Sequence, residues 1–171
     1  HNASGTAEIT VTVNDGGKSN NIVTRTFTVT VLTNNSPTLD SIGDLTLAYN
    51  SIGTTVNLTG IGAGASGENQ RLTISAKSDN AKLIPSPKVS YVNGQTTGSL
   101  TVKPAANASG TAEITVTVND GGKSNNIITR TFAVTVLPNN SPTLDSIGEL
   151  TLAYNSAEQT VNLTGIGAGA S

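Results

Sequence analysis

The sequence predicts an all-β protein made of tandem seven-stranded antiparallel β-sandwich domains, arranged as beads on a string. Apolar side chains alternate with threonine at every second position in several segments, which is the period of a strand with one buried face. Runs of Gly, Asn, Asp and Pro separate these segments, as turns require. A long block of the chain also recurs almost unchanged, which indicates copies of one folded unit.

Five short segments come first in the repeated unit. They are rich in Val, Leu, Ile and Thr and are bounded by turn-forming residues, so each is predicted to be a strand. No window of useful length has helical periodicity, and the run "GIGAGASGEN" contains too much glycine for a stable helix. The five predicted strands are Leu45–Tyr49, Thr55–Ile61, Arg71–Ser78, Lys88–Val92 and Gly98–Pro104.

Two further strands, Ala112–Val118 and Thr129–Leu137, show the clearest alternation. The stretch "NDGGKSNN" lies between them, and Asp120-Gly121 supplies the positive φ of a chain reversal, which predicts a hairpin. About seven short strands separated by turns are typical of a sandwich of two antiparallel sheets.

The repeat has the length of a whole domain. "NASGTAEITVTVNDGGKSNN" begins at Asn2 and again at Asn107, an offset of 107 − 2 = 105 residues. Solenoid repeats are shorter, about 20–45 residues, whereas one autonomous domain has about 100. We therefore predict the end of one repeat in residues 1–35, a complete repeat in 36–140, and the start of the next in 141–171.

The two copies, residues 2–66 and 107–171, differ by single substitutions only. Three of these cluster before a predicted strand, where Ile52–Thr54 is replaced by Ala157–Gln159. A buried position would not accept a change from Gly to Glu, so we expect an exposed turn there, with Glu158 in solvent. The seven differing pairs are Val23/Ile128, Thr28/Ala133, Thr33/Pro138, Asp44/Glu149, Ile52/Ala157, Gly53/Glu158 and Thr54/Gln159.

The joint between repeats is short. "VLTNNSPTLDSI" at Val31–Ile42 recurs as "VLPNNSPTLDSI" at Val136–Ile147. Pro37 and Pro142 cannot donate to a ladder and favour an extended residue before them. The preceding Asn-Asn-Ser forms turns readily. We expect neighbouring repeats to touch end to end, because a long flexible linker is missing from the joint.

The composition argues against several classes of function. A net charge of −2 without a basic run is unlike that of a nucleic-acid-binding protein. No apolar run reaches the roughly 18–20 residues of a membrane span, so we expect no membrane insertion in this segment. The chain has no cysteine, which excludes disulfides and thiolate metal sites.

Catalytic groups are sparse as well. His1 is the only histidine, and Ala106 stands at the corresponding position of the next repeat. The carboxylates are scattered singly, with no spacing that predicts a catalytic pair. We therefore expect no enzyme activity, and we assign no catalytic, cofactor-binding or metal-binding residue. The carboxylates considered are Glu8, Asp15, Asp40, Asp44, Glu68 and Asp79.

Three local patterns have simple explanations. Gly60–Gln70 lacks the lysine of a phosphate loop and reads as a flexible loop. Lys77 and Lys103 end predicted strands, but the few aromatic residues give little sign of the apolar shell that a Lys–Asn isopeptide bond needs. N-x-[ST] triplets arise easily by chance in a chain this rich in Asn and Thr. They begin at Asn2, Asn34, Asn57, Asn107, Asn139 and Asn162.

The runs "ITVTVNDGG" and "TRTFTVTVLTNNSP" resemble the last two strands and the joint of cadherin-like repeats, a branch of the immunoglobulin-like sandwiches. The whole unit resembles bacterial Ig-like or cadherin-like tandem repeats of large extracellular surface proteins. The resemblance implies an extracellular or cell-surface protein that serves as a stalk, adhesin or filament.

Cadherin joints hold calcium, and the match to them is partial. Asp15 and Asp120 match the Asp-Gly-Gly position, whereas Val31 and Asn34 stand where the joint would have Asp. Calcium prefers six to eight oxygen ligands with several carboxylates. We expect no cofactor, with weak calcium binding at the joints as the alternative, because Asp15 has a simpler role in its own turn.

Three functions follow from these observations. The first is a structural repeat that extends and stiffens an extracellular fibre. The second is a ligand- or carbohydrate-binding Ig-like module, and the third is a spacer domain of a large secreted enzyme. The expected partners are neighbouring copies of the same repeat, laterally or end to end. Subunits joined by strand exchange would lack the counterpart of Gly67–Ala106, so we expect one continuous chain.

Overall fold

The computed structural model describes residues 3–169, which form an all-β structure. It confirms the predicted fold class of a β-sandwich. In Gly110–Asn119 and Ile127–Val136, the alternation of apolar and polar residues places one face inside and turns the other toward solvent. The nine strands are β1 (Gly5–Asn14), β2 (Ile22–Val31), β3 (Leu45–Leu47), β4 (Thr54–Leu58), β5 (Thr73–Ser78), β6 (Lys88–Ser90), β7 (Gly98–Val102), β8 (Gly110–Asn119) and β9 (Ile127–Val136).

Two sheets built from β3 to β9 make the sandwich. One has the order β3-β9-β8-β5 and the other the order β4-β7-β6. One pair departs from the antiparallel arrangement that the sequence predicts, because β3 lies parallel to β9 with Leu45 opposite Val134. β3 runs alongside β9 in the same direction, so the first and last strands of the sandwich are neighbours in one sheet. The backbone N–H of Leu137 donates to the carbonyl oxygen of Leu47 at 2.9 Å and extends this pairing.

The hydrophobic core is formed by side chains of β3–β9 and the loops between them. In β8, Ile114, Val116 and Val118 are fully buried, and they alternate with threonines that are less so. The buried apolar residues are Leu39, Leu47, Leu58, Ile61, Leu72, Leu83, Ile84, Leu100, Val102, Ala112, Ile114, Val116, Val118, Phe132, Val134 and Val136. All of them fall inside the predicted repeat 36–140, although the division of the chain into three domains remains a prediction.

All seven predicted strands of the unit are present, with different ends. The first is shorter than expected because the chain turns after it, at Asn50 with φ 56°. The predicted hairpin between β8 and β9 also exists, but its loop is wider than a tight two-residue turn. Gly121 at φ 76° and Asn125 at φ 51° reverse the chain, and the N–H of Asp120 donates to the carbonyl oxygen of Asn126 at 3.1 Å.

The two ends of the chain repeat parts of the sandwich. The β1–β2 hairpin has the same register as β8–β9: Gly5 lies opposite Val31, as Gly110 lies opposite Val136. We call residues 141–169 the C-terminal segment. Within it, an isolated bridge between Thr143 and Gly167 copies the bridge between Thr38 and Gly62. The described residues of neither end belong to the core.

The turn before β4 matches the sequence-based expectation only in part. Ile52 is 91% exposed and Glu158 is exposed, as expected for a surface turn. Gly53, however, has φ 103°, and a Cβ placed there would lie 2.9 Å from the carbonyl oxygen of Val102. Glutamate does not fit this backbone conformation, so the two copies of the turn differ in conformation at this position.

The core predicts a difference between two identical isoleucines in matching strands. Ile114→Ala should lower the free energy of unfolding by about 2–5 kcal/mol, because it leaves a cavity in a fully buried site. Ile9→Ala serves as the control, since Ile9 is 39% exposed and should contribute much less. Urea denaturation of each variant in dilute solution measures both effects. Equal losses at the two positions would contradict the assignment of the core.

Candidate functional site

The joint that precedes the sandwich is hydrogen-bonded to the turn of the β8–β9 hairpin. The side-chain Nδ2 of Asn34 donates to Asp120 Oδ2 at 3.1 Å and to the carbonyl oxygens of Ser124 at 3.0 Å and Asn125 at 3.3 Å. These acceptors all lie in or beside the turn between β8 and β9. The joint therefore contacts the repeat that follows it along the chain, 86 or more residues away in sequence.

The same asparagine also accepts hydrogen bonds. Asn125 Nδ2 donates to the carbonyl oxygen of Asn34 at 3.3 Å, and Gln70 Nε2 donates to Asn34 Oδ1 at 2.5 Å. Both polar atoms of the half-buried Asn34 side chain thus have partners. Because these partners come from two different loops, one residue ties together three segments of the chain.

Asp120 is the buried charge at the centre of this contact, with only 4% of its surface exposed. Its Oδ1 accepts the backbone N–H of Gly122 at 2.8 Å, which closes the turn locally. Its Oδ2 accepts the amide of Asn34. Hydrogen bonds of this kind offset the cost of removing a carboxylate from water.

A second contact joins the neighbouring residue to a glycine-rich loop. Glu68 Oε1 accepts hydrogen bonds from the backbone N–H of Asn35 at 3.0 Å and from its side-chain Nδ2 at 2.8 Å. The side-chain bond from Asn35, then the backbone bond and Gln70, hold the pKa of the Glu68 carboxyl below its ordinary value of 4.5, against the opposing effect of partial desolvation. Two buried oxygens, Glu68 Oε2 and Gln70 Oε1, have no hydrogen-bond partner.

These residues line a cleft of about 540 Å³. Its walls come from the joint, from the loop around Glu68 and from the turn around Asp120. Among the described residues that line it, none is aromatic, and Lys123 is the basic one.

The candidate carboxylates in and near the joints accept hydrogen bonds from three different partners. Asp15 Oδ1 accepts the N–H of Gly17 at 2.9 Å, which is the turn role expected of it. Asp40 Oδ2 accepts the hydroxyl of Thr59 at 2.8 Å, and Asp44 Oδ1 accepts the N–H of Ala133 at 2.8 Å. Within residues 3–169, no three carboxylate or histidine side chains come together as a metal site would require.

The other sequence patterns are dispersed. Lys77 and Lys103 are exposed, unlike the buried lysine of an isopeptide bond. Asn57 is exposed on β4, whereas Asn34 uses its side chain within the joint. His1 and the triplet at Asn2 lie outside the described residues.

Sequence reasoning missed the pairing of Asn34 with Asp120 and of Asn35 with Glu68. The partners lie 86 and 33 residues apart, and no local pattern joins them. The duplicated "NNSP" pointed to the joint but did not indicate where its amides would bind.

No protein-family model matches the chain, and no curated protein matches it significantly. Among solved structures, domains 4 and 5 of the S-layer protein SbsC share 21% identity over 77% of this chain and 66% of that one, with a TM-score of 0.38. The human Desmocollin-1 ectodomain shares 15% identity over 81% of this chain and 29% of that one, with a TM-score of 0.48.

A mouse clustered PcdhgC3 structure shares 19% identity over 84% of this chain and 46% of that one, with a TM-score of 0.43. The chain thus spans two thirds or less of each of these structures, and the similarities are too distant to transfer any property. Within the described part of the chain, no helix is long and apolar enough to cross a membrane.

The joint contact predicts unequal effects at two matching asparagines. Asn34→Ala should lower the free energy of unfolding by about 1–3 kcal/mol, because it removes a hydrogen-bond donor from the buried Asp120 carboxylate. Asn139, the copy of Asn34, is exposed, and Asn139→Ala should change stability by less than about 0.5 kcal/mol. Thermal or urea unfolding measures both. A loss at Asn139 as large as that at Asn34 would refute the assigned contact.

The lowered pKa of Glu68 predicts a loss of stability in acid. Its contribution is fully present above the unfolded value of 4.5 and is lost as the pH falls through the lower folded value. Glu68→Gln should therefore flatten the pH dependence of the free energy of unfolding below about pH 4.5. Denaturation curves from pH 6 to pH 2.5 provide the measurement. An unchanged slope in the variant would show that Glu68 makes no such contribution.

Proposed function

We propose that this chain is a structural repeat of an extracellular stalk, adhesin or filament, which extends and stiffens a cell-surface or secreted fibre. The observation that carries the proposal is the path of the chain through the sandwich. The chain enters at one end of the strands and leaves at the other, so each repeat adds its full length to the fibre.

The hydrogen bonds define these two ends. Asn34 contacts the turn between β8 and β9, where β9 begins. β9 then runs for ten residues to Val136, after which the chain leaves the sandwich. At about 3.3 Å per residue, ten residues place the two points roughly 30 Å apart along the strand direction.

The first and last strands lie side by side between these two points. Force applied to the ends of the chain would pull β3 and β9 in opposite directions along their common axis. Their hydrogen bonds would therefore be loaded together, not broken one after another. The fastened joint supports the same role, because Asn34 and Asn35 limit bending where two repeats meet.

The alternatives receive less support. A carbohydrate-binding module usually offers aromatic side chains to the sugar, and the described residues lining the joint cleft include none. A spacer domain in a large secreted enzyme would need the same geometry as a stalk repeat. The two roles differ only in which domains the repeat connects. We propose a role without catalysis and without a bound metal, since Asp15, Asp40 and Asp44 each accept a separate structural hydrogen bond.

Single-molecule pulling on the full chain by its two ends tests this function. The sandwich should unfold in one event at high force, and about 100 residues at ~3.5 Å each should release roughly 350 Å of contour length. Leu137→Pro should lower that force, because it removes the N–H that donates to Leu47. Leu32→Pro is the matched control, since Leu32 is the 80% exposed copy.

The same experiment addresses calcium. The unfolding force and the Tm should be the same in excess calcium and in excess chelator. An unfolding force that rises with calcium would contradict a metal-free joint and would indicate that bound calcium stiffens it. Unfolding at low force in both conditions, with no effect of Leu137→Pro, would overturn the proposed mechanical role.

A further inference from the structure

The outer face of the sheet β3-β9-β8-β5 carries three carboxylates in one row across the strands. Asp44 Oδ1 accepts the N–H of Ala133 at 2.8 Å, and Ala133 lies opposite Glu113 in the next strand. Asp79 extends the row, because its Oδ1 accepts the N–H of Glu113 at 2.7 Å and its own N–H donates to the carbonyl oxygen of Glu113 at 3.0 Å. All three carboxylate residues are exposed. We call Asp44, Glu113 and Asp79 the acidic row.

The charges of the acidic row repel one another within the molecule. Residues directly opposite on neighbouring strands have Cβ atoms about 4.5–5.5 Å apart, and like charges in such positions destabilise a sheet. Lys77 lies opposite Thr115 in the adjacent row of the same face, and it offsets only one of the three negative charges. This face therefore keeps an excess of negative charge that a positive partner would relieve.

The outer face of the other sheet, β4-β7-β6, carries positive charge. Lys88 lies opposite Thr101, and Thr55 lies on the other side of Thr101. Lys103 follows two residues after Thr101 on the same exposed face. Its neighbour across the strands is Gly53, where an added Cβ would lie 3.0 Å from Lys103 Cβ. We call Lys88 and Lys103 the basic pair.

No carboxylate balances the basic pair on its own face. The other outward-facing residues of β4, β6 and β7 are uncharged, namely Asn57, Ser90 and Ser99. Positions diagonal to each other on adjacent strands, as Lys88 and Lys103 are, lie about 7–8 Å apart. The two ammonium groups thus present a concentrated positive charge to the solvent.

The acidic row and the basic pair lie at the same end of the sandwich, on opposite sides of it. β7 ends at Val102 and β8 begins at Gly110, so the connection between these strands marks that end. Lys103 is the first residue of the connection. Glu113 lies three residues into β8, which is about 10 Å beyond it. The two outer faces are therefore charged at nearly the same height along the strands.

Both faces belong to sheets whose strands all lie within residues 36–140. The carboxylates also recur in the neighbouring copies. Glu8 is the copy of Glu113, and Glu149 replaces Asp44 with a second carboxylate. The charge pattern is thus a property of the repeat and continues along the chain.

We propose that copies of this chain associate side by side in parallel, with the acidic row of one molecule against the basic pair of the next. The two surfaces differ and lie on opposite faces, so the contact propagates into an open ribbon instead of closing a dimer. Their equal height brings neighbouring repeats into register without an axial stagger. The inference rests on the proposed structural role, and it adds a partner: a second copy of this chain alongside the first.

The contact is weak for one repeat and strengthens with the number of repeats. The five-residue strands β4 and β7 are about 17 Å long, so a three-stranded face offers roughly 200–300 Å², well below the ~800 Å² per partner of a stable interface. Exposed ion pairs add little each, and salt screens them. Many repeats in one fibre multiply the contact through avidity.

Disulfide trapping on the full chain tests this contact, because the chain has no cysteine of its own. Ala133→Cys lies in the middle of the acidic row and Thr101→Cys lies between the two lysines, and neither substitution removes a charge. Under mild oxidation at low ionic strength, a mixture of the two variants should form the mixed disulfide roughly fivefold faster than either variant forms its own disulfide. In about 1 M salt, where the Debye length is about 3 Å, the preference should disappear.

Two controls examine the register and the charges. Thr117→Cys lies on the same face as Ala133, two rows closer to the β8–β9 turn, and it should react with Thr101→Cys without preference. Lys103→Glu in the Thr101→Cys chain should abolish the preference, and Glu113→Lys in the Ala133→Cys chain should then restore it. These positions are outside the core, so urea unfolding should show an unchanged sandwich in each variant.

Equal rates for mixed and like disulfides, a preference that persists in high salt, or a charge swap that restores nothing would each overturn the inference. These outcomes are separable from the proposed function. A chain without the trapping preference that still unfolds in one event at high force would remove the side-by-side association and leave the mechanical role intact. A trapping preference in a chain that unfolds at low force would do the reverse.

Discussion

The burial of one apolar face of β8 and β9 beneath the sheet β4-β7-β6 is the constraint on which the rest of the structure depends. Threonine fills most of the alternate positions, so the sandwich buries one side of each of these two strands, and the register decides which side that is. Ile114 and Val134 are fully buried by this packing. Ile9 and Val29 have the same strand partners as these copies, yet they remain partly in solvent because no second sheet lies over them.

The joint attaches the incoming chain to one end of the sandwich. Asn34 and Asn35 do not belong to a strand, but they bind a turn and a loop of the following repeat. These contacts form because the buried Asp120 carboxylate and the partly buried Glu68 carboxylate need hydrogen-bond donors, and their own loops supply only some of them. A short linker thus becomes a fixed element, and the parallel contact of β3 with β9 places the incoming and outgoing chain along one axis. The proposed stiffness and mechanical strength both rest on that path.

Several features were predictable from particular residues. The alternation of Ile114, Val116 and Val118 defined a strand and its buried face, and Asp120-Gly121 located the hairpin. Pro37 and its copy located the joint. The parallel pairing of β3 was not predictable. Its short pattern Leu-Thr-Leu does not specify the direction of the strand beside it. The role of Glu68 was also hidden, since a lone carboxylate in a glycine-rich loop has no periodicity to interpret.

By itself the sequence determined the strands, the repeat and the absence of charge patterns typical of nucleic-acid binding, because these depend on local periodicity and composition. Only the tertiary structure decided which of two nearly identical segments is buried, which carboxylate receives the amides of the joint, and where the chain enters and leaves. The physical reason is that burial and hydrogen-bond partnership are properties of pairs of segments. Residues 5–31 and 110–136 have almost the same sequence, and they differ in environment because only one of them has the other half of a sandwich to pack against.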